Sequence, residues 1–561
     1  MGKLENKAAR AALITQAAVR IAAELHRSRF VSPPMRFLTL LLAALAGALS
    51  LRPALDAAKP IERQSLKRHF FMLDKGETRV LPAGPLYTSS DPKVATVAGN
   101  RLQAAGEGEC EIFALEPGSK RTSAAAVAVG WPVQNPVLPF SWNLYVPDTE
   151  AHNFAGAVYI YGSLDADGGS YCSPYYLSLF SRDIRRWESK GVSFSSFQEG
   201  VPHRGRILWD SDGFFDRASG KFLHYGFFAD TMSGRNNHMF VVEGNSPTGP
   251  FSNFRWLTGD KSGNKVDGIS AQVFEDTDGV RYITYAPTAH VHPSKNYPVI
   301  ARLRDITTVD EASAVNVGAQ VKDFYEGPSL RKRGDTYYLV YAENTGRITD
   351  RNRRPVRLSY ATAKNIFGPY TYRGIIVSIE DMPGDSNIQG SIEEHGGQWY
   401  VFYHRSLNGP YNRRALCVEK INFDADGRIG RVEPTSSGVA EGLDTARPIW
   451  AGTAVIFKNV RRGEFGDFGG VELGGKAGNE SLLGFRYVLL TGKEQQLAFA
   501  GANLGNIRRA RVFADGKLLG EGDGTKGIKI ENAPAGKTVL TLTFETAGGP
   551  RPVVYSAKFA R

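Results

Sequence analysis

Five copies of one aromatic strand pattern recur along the middle of the chain and limit its fold most strongly. The last tyrosines of successive copies are 64, 60, 56 and 62 residues apart. The copies are Val158-Tyr159-Ile160-Tyr161, Phe222-Leu223-His224-Tyr225, Tyr282-Ile283-Thr284-Tyr285, Tyr338-Leu339-Val340-Tyr341 and Tyr400-Val401-Phe402-Tyr403. Units of this length, with short strands and Gly, Asp and Asn turns, are typical of a propeller whose blades are small antiparallel sheets. A tandem array of β-sandwiches is the alternative, although its units are normally longer, nearer about 100 residues.

The segments on both sides of the repeats also read as short strands. Residues 66–130 alternate apolar positions with turn residues, which predicts a small β-sandwich. Residues 445–561 show the same alternation and predict a C-terminal β-sandwich. We therefore predict an all-β chain, with a five-bladed β-propeller over residues 131–440 flanked by two smaller β domains.

Short phrases in both flanks resemble known modules. Residues 89–97, "SSDPKVATV", and 106–112 resemble bacterial immunoglobulin-like (group 2) domains, which occur on exported proteins. The phrases "LLGFRYVLL" and "VVYSAKFAR" distantly resemble carbohydrate-binding modules of the family 6 type. The C-terminal domain is accordingly either sugar-binding or a support for the propeller.

Residues 1–60 are predicted to be an N-terminal extension with a signal peptide. Met35-Arg36 precedes an apolar run over residues 37–51, and Ala48-Leu49-Ser50 offers small residues for cleavage. The run is short for a membrane span, so we expect a secreted or periplasmic protein translated from Met35, without stable membrane insertion. An uncleaved membrane anchor is the alternative.

Charge and cysteine content exclude some classes of function. The net charge is +11, but the first 60 residues supply +6 of it, and no basic stripe with stacking aromatics follows, so we expect no nucleic-acid partner. Cys110, Cys172 and Cys417 are odd in number and lack metal-ligand spacing. They are expected to be buried free thiols, unless the first and last repeats meet and Cys172 bonds Cys417.

Acidic residues recur at similar places before the repeated tyrosines. Asp148 and Asp212 each lie 13 residues before the last tyrosine of their copy, Glu326 lies 15 before, and Gln389 lies 14 before. The innermost strand of each blade lines a propeller's channel, so these side chains should converge there. Glycoside hydrolysis needs such a pair, one carboxylic acid to protonate the leaving oxygen and one carboxylate to activate water. Turn capping or water binding between blades is the structural alternative.

Residues 134–430 resemble glycoside hydrolase family 43. The phrase "YVPDTEAHNFAGAVYIYGSLD" is similar to the family's first blade, in which the Asp, here Asp148, is the general base. "FYEGPSLRKRGDTYYLVYAE" is similar to its fourth-blade signature, whose Glu, here Glu326, is the general acid. "GSIEEHGGQWYVFYHRS" resembles the fifth blade, and "SPTGPF" is a familiar phrase of the family. The resemblance implies a carbohydrate substrate.

The chain departs from the family pattern at two positions. The family's third carboxylate, an Asp in the third blade that orients the acid, is replaced by Ser270, and Asp267 stands three residues earlier as its substitute. Gln389 occupies a position where relatives often carry a His that helps hold a central metal ion. We therefore expect no metal or other cofactor, and the Gln389 departure argues against a bound calcium.

Several further residues are candidates for substrate binding. They are Trp142, Trp209 and Tyr325, whose rings suit sugar faces, and Asp212, Gln389, His404 and Arg405. For Trp209 core packing is the alternative; for Asp212 it is a structural role, and for His404 and Arg405 the end of a strand.

Three functions are consistent with the sequence. The first is an exported inverting glycosidase acting on arabinofuranosides, xylosides or galactosides. The second is a sugar-binding propeller without catalysis. The third is a phosphorylase, which should carry basic residues beside the acid; near Glu326 the sequence offers only Arg331, Lys332 and Arg333, in a predicted turn.

Overall fold

A computed structural model describes residues 69–560, apart from 119–121, 140–141, 166–170, 229–237, 259–267, 288–296, 345–355, 383–386, 407–412, 463–469 and 475. The described chain is built of strands joined by turns, and its helical structure is limited to short 3-10 turns such as Gly318–Gln320 and Ile379–Asp381. No helix in these ranges has the length and apolar character to cross a membrane. The all-β prediction is confirmed. The predicted signal peptide and Asp267 lie outside the described residues.

The N-terminal region folds into two sheets around a small core. Its strands are β1 His69–Leu73, β2 Thr78–Val80, β3 Leu86–Ser89, β4 Ala95–Ala98, β5 Arg101–Ala104, β6 Gly108–Leu115 and β7 Thr122–Val129. One sheet has the order β2-β5-β4, and the other contains β3-β6-β7-β1. Phe71, Leu102 and Val127 are among the buried residues between them. The alternating burial of β5 and β6 matches the alternating sequence.

The repeats form five successive antiparallel sheets. The first comprises β8 Glu150–Phe154, β9 Ala157–Tyr161, β10 Tyr175–Ser181 and β11 Glu188–Ser195; the second, β12 Leu208–Asp216, β13 Lys221–Phe228, β14 His238–Gly244 and β15 Ser252–Trp256; the third, β16 Ile269–Glu275, β17 Arg281–Ala286, β18 Val299–Leu303 and β19 Val309–Asn316; the fourth, β20 Phe324–Arg333, β21 Thr336–Asn344, β22 Val356–Ala363 and β23 Thr371–Ser378; the fifth, β24 Gly390–His395, β25 Gln398–Ser406 and β26 Arg414–Ile421. The five aromatic copies all lie on the second strand of their sheet. Each therefore marks one structural unit.

The first strands of the five sheets contact one another in sequence. β8 contacts β12, β12 contacts β16, β16 contacts β20, and β20 contacts β24. The last strand of this series, β24, contacts β8 again, and the amide of Ala151 donates to Ser391 Oγ at 2.9 Å. Polar residues on these five strands therefore lie near one another.

The sheet of the first repeat continues into the N-terminal region. β1 pairs with β7 in parallel and with β11 antiparallel, so the strand order runs β3-β6-β7-β1-β11-β10-β9-β8. Pairing of this kind covers the backbone edge that β11 would otherwise expose. Although the sequence places a domain boundary near residue 130, the hydrogen-bonded sheet extends across that position.

The C-terminal region is a two-layer β-sandwich with its own core. The strands are β27 Leu443–Asp444, β28 Ile449–Trp450, β29 Ile456–Lys458, β30 Val460–Arg462, β31 Val471–Leu473, β32 Glu480–Thr491, β33 Gln495–Ala502, β34 Ile507–Ala514, β35 Lys517–Gly522, β36 Ile528–Ile530, β37 Ala535–Thr546 and β38 Val553–Ala560. One layer has the order β27-β32-β37-β34-β35 and the other β30-β31-β38-β33-β36. Leu483, Val512 and Phe544 are buried between the layers.

The three cysteines are buried and unbridged, as the sequence analysis expected.

Candidate active site

Asp148 is held in place by groups from three separate parts of the chain. It lies just before β8 with a φ of 56° and a relative exposure of 5%. Its carboxylate accepts hydrogen bonds from Ser163 Oγ at 2.6 Å and from Arg414 Nη1 at 2.7 Å. Its amide donates to His404 Nδ1 at 3.0 Å. Burial raises the pKa of Asp148 above its ordinary value, while the Arg414 guanidinium and the Ser163 hydroxyl oppose that rise.

Arg414 connects Asp148 to a second buried carboxylate, Asp165. The Arg414 side chain is fully buried and lies at the start of β26 in the fifth sheet. Its Nη2 lies 2.9 Å from Asp165 Oδ1, and its Nε lies 3.1 Å from Asp165 Oδ2. One guanidinium therefore fixes two carboxylates of the first sheet, with the planar geometry that arginine provides.

Asp210 is a third carboxyl group beside Asp148. It is the extra residue of a β-bulge in β12, because Trp209 pairs with Phe227 and Ser211 pairs with Gly226. Its φ is 28°, in the left-handed region that non-glycine residues rarely occupy. A bulge can re-aim a side chain in this way. Burial and the charge of Asp148 raise the pKa of Asp210 to about 7.

Glu326 comes from the fourth sheet. It is half-buried on β20, opposite Ala342, and is followed by Gly327 at a φ of 63°. A Cβ at Gly327 would lie 2.5 Å from Gln389 Nε2, so only glycine lets the Gln389 amide approach this backbone. Gln389 in turn donates to Asp210 Oδ2 at 3.3 Å. Glu326 and Asp210 thus lie on either side of the Gln389 amide.

Tyr171 stands within electrostatic range of both predicted catalytic carboxylates. Burial chiefly raises its pKa, and the charges of Asp148 and Glu326 raise it further, whereas Arg414 lowers it. The Arg414 guanidinium carbon lies 4.3 Å from the centre of the Tyr171 ring. Trp209 meets the same ring edge-on at 5.5 Å between centroids. Two aromatic rings therefore adjoin the carboxyl groups, and Trp209 is in a position where it could contact a sugar.

Four predicted substrate-binding residues have other surroundings. Trp142 is 1% exposed and packs against Phe70 at 4.6 Å, so its prediction as a sugar-stacking residue is wrong. Arg405 is fully buried, and its Nη2 donates to the carbonyl of Ala454 in the C-terminal region. It therefore connects two regions of the chain and is not placed to reach a sugar hydroxyl.

His404 supports Asp148 and is not open to substrate. Its ring is fully buried, with Nδ1 accepting from the Asp148 amide and Nε2 at 3.1 Å from Asn387 Oδ1. Burial, and then the Arg414 charge, lower the pKa of His404 well below its ordinary value. The neutral tautomer with its proton on Nε2 satisfies both contacts. The prediction that His404 reaches substrate hydroxyls is therefore wrong.

Asp212 belongs to a separate buried cluster. Its Oδ2 accepts from the Val273 amide at 2.7 Å, and its Oδ1 is bonded to His152 Nε2. Burial raises its pKa to about 7, and the Val273 amide and Arg331 oppose that rise. The side chain is 1% exposed, so the structural alternative fits Asp212 and substrate contact does not.

The cluster around Asp212 could be taken for a metal site. Ligand atoms of Glu150, His152 and Asp212 lie within 4.8 Å of one another. However, Arg331 Nη2 lies 2.7 Å from Glu150 Oε1, and its Nε lies 2.8 Å from Glu393 Oε2. Calcium needs six to eight oxygen ligands, and a buried guanidinium beside them would repel it. The donor set does not fit calcium, because Arg331 already supplies the positive charge.

The basic residues after Glu326 are also explained by this arrangement. Arg331 and Lys332 lie within strand β20 and not in the predicted turn. Arg331 is bonded to Glu150 and Glu393, and Lys332 Nζ lies 2.5 Å from Asp276 Oδ1. These two cations are therefore paired with carboxylates, which leaves the phosphorylase hypothesis without the basic cluster it requires.

Sequence reasoning missed Asp165, Asp210, Tyr171 and Arg414. For Asp210 a signal was present, because Asp210, Ser270 and Glu326 each lie 15 residues before the last tyrosine of their copy. Asp212, at 13 residues, is out of that register. For Arg414 and Asp165 no signal was available, since they are 249 residues apart and meet only because the first and fifth sheets adjoin.

Comparison with known proteins agrees with these observations. A xylosidase/arabinosidase from Thermoclostridium stercorarium is 29% identical over 337 residues, covering 55% of this chain and 68% of that protein. A xylosidase/arabinosidase from Bacteroides ovatus is 27% identical and covers 52% of this chain and 95% of its own length. A solved β-xylosidase/α-arabinofuranosidase from a compost metagenome, in complex with xylotriose, is 26% identical with a TM-score of 0.43, covering 54% and 98% of the two chains. Residues 133–429, more than half of the chain, match the model for glycosyl hydrolases family 43. The chain belongs to this family and is a glycosidase that hydrolyses glycosidic bonds.

Proposed function

We propose that the chain is an inverting exo-acting glycosidase with Asp148 as general base and Glu326 as general acid. The observation that carries this proposal is the fixed, buried Asp148 carboxylate near Tyr171, whose ring also senses the charge of half-buried Glu326. A carboxylate bonded to Arg414 and Ser163 is kept ionised, as a base requires. The half-buried acid comes from a different sheet, which leaves room for substrate between the two groups.

The reaction follows from these roles. Asp148 removes a proton from water, whose oxygen bonds to the anomeric carbon while the glycosidic C–O bond breaks. Glu326 gives its proton to the leaving oxygen. Single-step inversion requires the two carboxyl groups to be roughly 6.5 to 9.5 Å apart, so that a water molecule fits beside the sugar.

We propose arabinofuranosides and xylosides as the substrates. The support is that the listed names of several relatives describe activity on such sugars, including a β-xylosidase from Xylanibacter ruminicola at 25% identity. The edge-on pair of Tyr171 and Trp209 next to the carboxyl groups suits a small sugar ring.

This assignment is tested by proton NMR of the first product formed. The parent enzyme should release arabinose or xylose from the corresponding nitrophenyl glycosides, and the sugar should appear first as the anomer opposite to that of the substrate. Nitrophenyl galactoside serves as the comparison and should react more slowly. Retention of configuration would contradict inversion. Binding of the glycosides without hydrolysis would instead identify a sugar-binding protein.

We propose that the five repeat sheets are the blades of one propeller. The contact of β24 with β8 and the hydrogen bond from Ala151 to Ser391 support a closed ring of first strands. We further propose export, with translation from Met35, because the apolar run after Arg36 has the character of a signal peptide. The N-terminal sandwich would then be an immunoglobulin-like domain of the kind carried by exported proteins.

The enzyme should not depend on a divalent metal. Because Arg331 occupies the polar cluster of Glu150, His152 and Asp212, dialysis against EDTA should leave kcat and Tm unchanged within error. Addition of Ca²⁺ to the dialysed enzyme should have no effect. Loss of activity on dialysis, restored by Ca²⁺, would show that a cation is bound despite the guanidinium.

A further inference from the structure

The bulge in β12 places a carboxyl group that the proposed mechanism does not yet use. Asp210 is the unpaired residue of that bulge, held at a φ of 28°. Its amide donates to Ser163 Oγ at 2.9 Å, and its carbonyl accepts from Tyr176 Oη at 2.8 Å. Both partners belong to the first sheet and its following loop. An unfavourable backbone conformation fixed from two sides indicates that the direction of the Asp210 side chain matters.

The hydrogen bonds of Asp210 converge on the proposed base. Ser163 Oγ, which receives the Asp210 amide proton, itself donates to Asp148 Oδ2 at 2.6 Å. A hydrogen bond from the Asp210 carboxyl group also lowers the pKa of Asp148. On its other side, Asp210 Oδ2 accepts from Ser270 Oγ and from Gln389 Nε2. Donors from the third and fifth sheets thus set the orientation of this carboxyl group.

We propose that Asp210 is the third carboxyl group of the active site, a positioning residue that donates a hydrogen bond to Asp148 and keeps Asp148 ionised for catalysis. This inference rests on the proposed function. It also accounts for Ser270, which stands where the family resemblance places a carboxylate and here donates to Asp210. The carboxyl group is supplied by the second sheet and its hydrogen-bond donor by the third.

The charges around Asp210 agree with this division of roles. The charged groups that face it are Asp148 and Arg414, with Glu326 beyond the Gln389 amide and the Tyr176 phenol at its backbone carbonyl. Two adjacent carboxylates cannot both ionise easily, so the pair holds one proton. Because Arg414 and Ser163 bind the Asp148 carboxylate directly, the proton resides on Asp210.

The expected effect is a change in the shape of the pH profile of kcat/KM. This profile reports ionisation of the free enzyme, and its acid limb falls where Asp148 becomes protonated. Replacing Asp210→Ala removes the donor and should raise that limb by about one pH unit, because a hydrogen bond to an ionised group is strong. Asp210→Asn keeps a donor at the same place and should leave the acid limb near its parental position.

Asp212→Asn is the matched control. Asp212 lies two residues away on the same strand and is equally buried, but it is bonded to Val273 and His152 and not to Asp148. Its replacement should leave the acid limb where it is. If Asp210→Ala merely scaled kcat/KM at every pH, or if Asp210→Asn and Asp210→Ala moved the limb equally, the inference would be wrong. Failure of the proposed function itself would look different, since the parent would then lack glycosidase activity.

Discussion

Replacing Asp148→Asn should lower kcat on xylosides or arabinofuranosides by about 10²- to 10⁴-fold, the range expected for loss of a general base. The amide has the shape of the carboxylate but cannot accept a proton from water. Arg414 keeps its partner Asp165, so the fold should tolerate the change with little loss in Tm. Steady-state kinetics and thermal unfolding of the same preparation check both parts.

Asp335→Asn is the control for this experiment. Asp335 belongs to the fourth repeat but is largely exposed, and its ion pair with Lys364 lies on the surface. Its replacement should change neither kcat nor Tm, because exposed ion pairs contribute little. An Asp148→Asn variant with parental kcat would remove Asp148 from the mechanism.

Replacing Arg414→Met should cause the largest loss of stability of any change considered. The substitution leaves Asp148 and Asp165 buried without their cation, and breaking a buried ion pair from one side costs about 3–5 kcal/mol. Urea-induced unfolding followed by tryptophan fluorescence measures the difference. Arg414→Lys should fall between the parent and Arg414→Met, because a lysine keeps the charge but cannot bind both carboxylates in one plane.

The comparison for Arg414 is Arg431→Gln. Arg431 pairs with Asp381 at 2.7 Å, but its side chain is half exposed. The loss there should be below about 1 kcal/mol. Equal unfolding midpoints for Arg431→Gln and Arg414→Met would mean that the buried network does not stabilise the fold.

The fold could be predicted from sequence to the extent that it depends on local patterns. The spacing of Tyr161, Tyr225, Tyr285, Tyr341 and Tyr403 identified five structural units, because each tyrosine lies on the second strand of its sheet. The pairing of β1 with β11 could not be predicted, since strands so far apart in the chain carry no local signal for their partner.

The site was predictable where it depends on register along one strand. Glu326 and Asp148 were found in this way, but counting from tyrosines selected Asp212 in the second repeat when Asp210 is the residue at the bulge. A bulge adds one residue to a strand and so shifts every side chain before it by one position. Counting residues alone could not show on which side of the bulge the functional carboxyl group lies.

The surroundings of the carboxyl groups were beyond sequence reasoning. His404, Arg405 and Trp142 are polar or amphipathic residues near the right strands, yet all three are fully or almost fully buried. Whether such a side chain faces substrate or packs inside depends on contacts between sheets, such as those of His404 with Asp148 and of Arg405 with Ala454.

The roles of Glu326 and Asp148 are tested most directly by the effect of the leaving group on Glu326→Ala. A general acid is needed for a poor leaving group but hardly for dinitrophenolate, which departs without a proton. We predict that Glu326→Ala loses most of its activity on a disaccharide of the preferred sugar and keeps near-parental kcat on the dinitrophenyl glycoside, while Asp148→Asn is impaired on both. Equal losses of Glu326→Ala on the two substrates, or no loss on either, would contradict the assignment of Glu326 as the acid.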